Sequence, residues 1–308
     1  MTSTALTLAE IKTLLQYSTN LNPEPDLLQA GAHSDPVLAP GPEQYDLHPE
    51  GAQRAVRAIV KDDIQMVVKF GVEVYAREAD VMTFVASHTS IPVPRLYGVF
   101  TEAVLINTVT YIVQEQVPGT RLEHVFETLS ASERDAIAHQ LKDVFIQLHS
   151  LAGGRTRLEP FGGGSWARTL WFKCFQNDFP MGDDDAHTTR ALLTYFLAIT
   201  SRRYRPGGAW KLDEFLALFD LDRPPVFSHG DLTPWNIMVH NGRISGIVDW
   251  AEAGWYPYFW DSFVLDRAAS MFWKTPDAQE MLRAALLEFF PEGTEFGIHW
   301  NVQSDFYY

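Results

Sequence analysis

Cysteine is nearly absent: Cys174 is the only one among 308 residues. No internal disulfide can form, which excludes a disulfide-stapled scaffold and fits a reducing, cytoplasmic setting. Basic residues are also scarce, with 24 Lys and Arg against 39 Asp and Glu, a formal net charge of -15. Such a surface repels DNA and RNA, and no basic stripe offsets it, so no nucleic-acid partner is expected. Long apolar runs are missing too, so no membrane-spanning segment is expected. The start, "MTSTALTLAEIKTLL", has no apolar run behind a basic end, so no secretory signal is expected. Internal repeats and low-complexity tracts are lacking.

What the chain does have is material for a large core. Hydrophobic residues make up 46% and aromatics 13%, with nine Trp and twenty Phe. At this length two domains or lobes are the default. Residues 1–49 hold a short helix opened by the capping box Thr7-x-x-Glu10. An irregular connector rich in Pro, Gly and Asp follows over residues 22 to 51. From Arg54 the chain turns strand-like: "AVRAIVKDD" and "IQMVVKFG" read as two strands joined at Asp62-Asp63. "EVYAREADVMTFVASH" carries Val81, Phe84 and Val85 at helical spacing, "SIPVPRLYGVF" is a Pro-stiffened entry to a strand, and "TVTYIVQEQV" is a β-branched central strand.

At Pro118 the character changes. Ser130-x-x-Glu133 is a second capping box, opening a helix with Ile137, Leu141, Val144, Phe145 and Leu148 on one face. One hairpin, around Asn241-Gly242, interrupts a region that otherwise reads as helical. "SFVLDRAASMFW" and "DAQEMLRAALLEFF" are amphipathic helices. The division is an N-terminal helix and connector over 1–49, a strand-rich part over 50–117 and a helical part over 118–308.

The stretch "VFSHGDLTPWNIMVHNGRISGIVDW" carries the chemistry. It puts two carboxylates and a carboxamide at the ends of apolar runs, where an unpaired charge is costly. His229, Asp231 and Asn236 lie on the loop before the hairpin, and Asp249 ends its returning strand. A tight hairpin brings Asn236 and Asp249 side by side as a hard oxygen site, which suits Mg²⁺ completed by water and phosphate. Asp231 faces the same place as a possible proton acceptor, a set of groups that suits phosphoryl transfer. Upstream, Lys69 is a lone cation inside "MVVKFG", and an inward lysine needs an anion, either Glu78 on the next helix or nucleotide phosphate.

"HGDLTPWN", with "IVDW" after a hairpin, resembles the aminoglycoside phosphotransferase and choline kinase-like family. "VVKFG", "READVMTFV", "SIPVPRLYGVF", "YIVQEQVPGTRL" and "GWYPYFWD" resemble it in the same order, over roughly residues 50 to 270, with detail closest to its fungal members. The resemblance implies an α+β, two-lobed protein-kinase-like fold, with a β-rich N-lobe and a mainly helical C-lobe. It implies an ATP- and Mg²⁺-dependent kinase acting on a hydroxyl of a small molecule, with GTP an open alternative to ATP. Asp231 would be the catalytic aspartate, and Asn236 and Asp249 would hold Mg²⁺. Lys69 would contact the phosphates, anchored by Glu78, and backbone groups of Glu115 and Val117 would meet the base. His229 would brace the loop. The sequence departs from the pattern at two places. Only Gly51 stands in the stretch that would cover the phosphates, and Glu252 lies one position beyond the usual acidic residue.

Two rivals use the same residues. A nucleotide-binding pseudokinase or regulatory module would bind without transfer. A metal-dependent hydrolase would take His229 and Asp231 as zinc ligands. Taken singly, Asp183-Asp184-Asp185 reads as a solvated loop, Cys174 as an inert buried thiol, and Trp250, Trp255 and Trp260 as core. An acidic, aromatic-rich chain suits an aminated or quaternary-ammonium alcohol as acceptor, and neutral metabolites fit equally well.

Overall fold

A computed structural model describes residues 6–20, 53–151, 153–163, 188–194, 213, 216–217 and 219–272. Gly51, Cys174, Asp183-Asp184-Asp185, the connector over 22–50 and the helix expected in "DAQEMLRAALLEFF" lie outside the described residues. The chain divides into two compact units. One comprises Met1–Asp80 and Pro94–Gln116, the other Val81–Val93 and Val117–Tyr308. Residues 81–93 therefore group with the second unit rather than with the rest of 50–117.

The first unit is an antiparallel sheet of β1 (Thr19–Asn20), β2 (Ala55–Lys61), β3 (Ile64–Gly71), β4 (Leu96–Val104) and β5 (Asn107–Glu115), in the order β1-β2-β3-β5-β4. Asp62 and Asp63 turn β2 into β3 with φ of 50° and 62°, the left-handed pair that a two-residue hairpin needs. Period-two alternation then sorts the side chains. Met66, Val68, Phe70, Val109, Tyr111 and Val113 cluster with Ile11 of α1 (Leu8–Leu15), so α1 covers that face. The Thr7–Glu10 capping box starts α1, and ion pairs Lys12–Glu102 (2.9 Å) and Lys61–Glu10 (3.1 Å) tie it to the sheet. By the same alternation Val67 and Lys69 of β3 point to the opposite face, with Thr110, Ile112 and Gln114 of β5. Helix α2 (Arg77–His88) follows β3, and its first turn, with Ala79 packed against Ile112, belongs to this unit.

The second unit is not simply helical. Its described part holds β6 (Thr120–Arg121), α3 (Leu122–Val125), α4 (Ala131–Ser150), β7 (Glu159–Pro160), β8 (Val226–Ser228), β9 (Ile237–His240), β10 (Arg243–Ile247), β11 (Gly254–Tyr256) and α5 (Trp260–Phe272). The strands form two three-stranded sheets, β10-β9-β6 and β7-β11-β8. Four of the six strands are two or three residues long, too short to show a period in sequence. The Ser130–Glu133 capping box opens α4, which buries Ile137, Leu141, Val144, Phe145 and Leu148 as its spacing predicts. Those residues join Val81, Val85, Phe227, Trp250 and Trp255 in one core. Trp260 is buried as well. Asn241 and Gly242, with φ of 51° and 70°, make the β9–β10 turn.

Candidate functional site

In the first unit, Lys69 and Glu78 find each other. Lys69 is 5% exposed and Glu78 2% exposed. The ammonium lies 2.8 Å from Glu78 Oε1 and 2.6 Å from Oε2. The local cause is simple: Lys69 points off the sheet away from α1, and Glu78 sits in the first turn of the helix on that side. Desolvating both charges offsets most of their attraction, so such a pair is weak evidence for stability and better evidence for a task.

In the second unit, the loop from His229 to Asn236 is held by Glu252, Trp260 and Asp261. Gly230 takes φ 84°, and a Cβ there would lie 2.2 Å from the Glu252 carbonyl oxygen, so only glycine fits. Tyr256 donates its hydroxyl proton to that same carbonyl at 2.7 Å. Trp260 Nε1 donates to the Gly230 carbonyl at 3.0 Å. Asp261, in the first turn of α5, accepts the His229 N–H on Oδ2 (2.8 Å) and the Gly230 N–H on Oδ1 (2.9 Å). Burial raises the Asp261 carboxyl to about 7, outweighing the two backbone donors that favour its charged form. Asp261 was not singled out in the sequence. Its signal was there, a lone carboxylate inside "YPYFWDSFVL" that cannot stay buried without a partner.

His229 is fully buried, its ring 4.5 Å from that of Trp250. Its Nδ1 accepts the Asp231 N–H at 3.3 Å, which assigns the proton to Nε2, 3.0 Å from the Val248 carbonyl. With both nitrogens engaged, His229 braces the loop and offers no lone pair to a zinc ion. Among the described residues no group of three or more His, Cys, Asp or Glu stands close enough to hold a metal ion.

Asn236 is buried at the end of a 3-10 turn, Pro234–Asn236. Its Nδ2 donates to the Asp231 backbone carbonyl (2.8 Å) and to Asp231 Oδ2 (3.1 Å). Spending the amide N–H groups on Asp231 leaves the oxygen as the end that can meet a cation. Asp249 follows β10 with φ 63° and ψ 65°, a left-handed conformation rare outside glycine and asparagine. Val248 straps the two ends of the hairpin: its N–H donates to the Asn236 carbonyl at 2.9 Å and its own carbonyl takes His229 Nε2. The hairpin thus brings the backbones of Asn236 and Asp249 together, and Asp231 is fastened to Asn236. An amide oxygen and a carboxylate are a hard donor set that fits Mg²⁺.

Glu115 closes β5. Its N–H donates to the Arg95 carbonyl at 2.8 Å, and its side chain accepts the Arg95 N–H at 3.1 Å. The chain passes from the first unit to the second between Gln116 and Val117. Glu252 lies in a 3-10 turn, Trp250–Glu252, where its carbonyl is the group packed on Gly230.

The sequence pattern of the phosphotransferase enzyme family (APH) matches residues 47–296, most of the chain. The chain belongs to the phosphotransferase enzyme family. Its fold is accordingly α+β and protein-kinase-like, with a β-rich first unit. Similar solved structures include an aminoglycoside-3'-phosphotransferase of type VIII, at 18% identity over 79% of this chain and 86% of that one, with a TM-score of 0.49. Macrolide 2'-phosphotransferase MphH from Brachybacterium faecium is similar at 16% identity over 80% and 79%, TM-score 0.47. Aminoglycoside 2'-phosphotransferase-IIIa in complex with GDP is similar at 14% identity over 81% and 80%, TM-score 0.48. Identities this low say nothing of acceptor or nucleotide. No curated protein matches the chain. No helix among the described residues is long and apolar enough to cross a membrane.

Proposed function

We propose that this member of the phosphotransferase family is a small-molecule kinase of the cytoplasm. It transfers the γ-phosphoryl group of ATP to a hydroxyl of its acceptor. The observation that carries the reading is the fastening of Asp231 to Asn236 on the same hairpin that ends in Asp249. That constellation is what an in-line transfer needs: a carboxylate to take a proton, and oxygen donors beside it.

Asp231, half-buried and oriented by the Asn236 amide, accepts the acceptor's hydroxyl proton as the oxygen attacks the γ-phosphorus. The bond from that phosphorus to the β–γ bridging oxygen breaks, and ADP leaves. Asn236 and Asp249 would hold Mg²⁺, which supplies charge neutralisation on the phosphates. Lys69 offers its ammonium to the phosphates while Glu78 holds it in place. Backbone groups of Glu115 and Val117 meet the base; at Glu115 the N–H is already given to Arg95, so the carbonyl is the group to consider. On the Lys69 face of the sheet, Val56 and Ala58 are half-buried beside Val67, an apolar surface for a purine. The acceptor is an alcohol. An amine-bearing one suits the -15 net charge.

Turnover is tested by ADP release across a library of antibiotic, choline-like, amino-acid and secondary-metabolite alcohols. Asp231→Ala should lower single-turnover transfer by about 10²- to 10⁴-fold while nucleotide affinity stays nearly unchanged. Asp249→Ala should instead remove the Mg²⁺ dependence of nucleotide binding. Transfer that survives in Asp231→Ala would overturn the assignment. Wild-type nucleotide binding with no ADP release from any acceptor would identify a pseudokinase.

A further inference from the structure

The segment that opens the second unit is gripped, residue by residue, by the β9–β10 hairpin. Val117 fills the space that Gly246 leaves: a Cβ on Gly246 would stand 2.6 Å from Val117 Cγ1, 2.9 Å from Cγ2 and 3.3 Å from Cβ. The Pro118 carbonyl accepts the Ser245 hydroxyl at 2.6 Å. Gly119 takes φ 108°, with its absent Cβ only 2.1 Å from the Val239 carbonyl oxygen. Thr120 and Arg121 then pair with Val239 and Met238.

Two of these grips come from one irregularity. In β10, Ile244 pairs with Val239 and Gly246 with Met238, so Ser245 is an extra residue without a partner in β9. Such a bulge re-aims a side chain, and here it coincides with the turn of the Ser245 hydroxyl onto Pro118. The space at Gly246 is shaped closely to Val117. Both Val117 methyls lie within 3 Å of the missing Cβ position, so any χ1 rotation keeps at least one methyl there. A larger residue at 246 must therefore displace Val117 or its own strand, and either shift changes the fit between Val117 and the hairpin. The hairpin that carries Ser245 and Gly246 also ends in Asn236 and Asp249, the residues proposed to hold the metal.

We infer that the Ser245–Gly246 bulge is a positioning element that sets the Val117 backbone, and with it the nucleotide base, in register with Asn236 and Asp249. Ser245 and Gly246 touch neither substrate nor metal; they act through Val117 and Pro118. The inference rests on the kinase reading above. It adds that one hairpin fixes both ends of the nucleotide.

The wild type is titrated with ATP and GTP by calorimetry, with and without Mg²⁺, then with the nucleoside of the tighter one. Gly246→Ala should weaken nucleotide and nucleoside alike by about 10-fold or more, because small misplacements of a binding group are costly. The ratio of nucleotide Kd with and without Mg²⁺ should keep its wild-type value, which general damage to the hairpin would not preserve. Val117→Ala with Gly246→Ala should bind no more weakly than Val117→Ala alone, since the clash is gone. Ser245→Ala should raise the KM for nucleotide about 3- to 10-fold with kcat held, the size of one hydrogen bond. If Gly246→Ala fails to fold, Ser245→Ala carries the test. Wild-type nucleoside affinity in either folded variant overturns the inference alone, as does a Gly246→Ala defect that Val117→Ala leaves in place. A wild type that binds neither nucleotide overturns the kinase reading, and this inference with it.

Discussion

Glu78 in the first unit and Asp261 in the second are both buried carboxylates, and the two are compensated in opposite ways. Glu78 faces a cation on a long, flexible side chain. Asp261 faces two backbone N–H groups that cannot move without moving the loop they belong to. A side-chain cation can be shared with an arriving anion; a backbone donor cannot. Glu78 therefore suits a poised group, whereas Asp261 suits a clamp on the loop carrying Asp231.

The sharpest way to break that contrast is to remove one partner from each. Lys69→Ala should lower unfolding free energy by about 3–5 kcal/mol, because Glu78 is left charged and buried. Replacing both, Lys69→Met with Glu78→Leu, should recover most of the stability in urea titration without recovering nucleotide binding. If the double variant is as unstable as the single, the pair serves structure and the contrast fails. Asp261→Ala should cost about 2–4 kcal/mol, since two buried N–H groups lose their acceptor. No apolar substitution should repair it, because the donors are main chain.

Acidity sharpens the same point. The folded Asp261 carboxyl titrates near 7, above its ordinary 3.8. The folded chain thus holds a proton that the unfolded chain has released across that window. The stabilising contribution is full below 3.8 and is lost as pH rises through about 7. The slope is at most about 1.4 kcal/mol per pH unit. Asp261→Asn should flatten this component in thermal melts from pH 4 to 8; an unchanged slope would assign it elsewhere. The smallest expected effect compares like with like. Each unit opens a helix with a capping box, at Thr7 and at Ser130. Thr7→Ala and Ser130→Ala should each cost about 1 kcal/mol, and equal losses would show that both helices are coupled to the folding of their units.

The same division explains what could be read from sequence. Asp62-Asp63 and Asn241-Gly242 were legible because a two-residue turn carries its own chemistry. Lys69 and Glu78 were legible because a charge in an apolar run calls for its opposite within a few residues. Asp261 was not picked out, since its partners are the N–H groups of residues 31 and 32 positions away, and every residue but proline has one. β6, β7, β8 and β11 were missed because two or three residues cannot display alternation.

The strap at Val248 speaks in main-chain atoms alone: one N–H outward to Asn236, one carbonyl inward to His229. It is therefore indifferent to what residue 248 is called. Evolution or a designer can rewrite that side chain to suit its neighbours, with one letter forbidden. Proline has no N–H to give, and would unfasten the hairpin's two ends at a stroke.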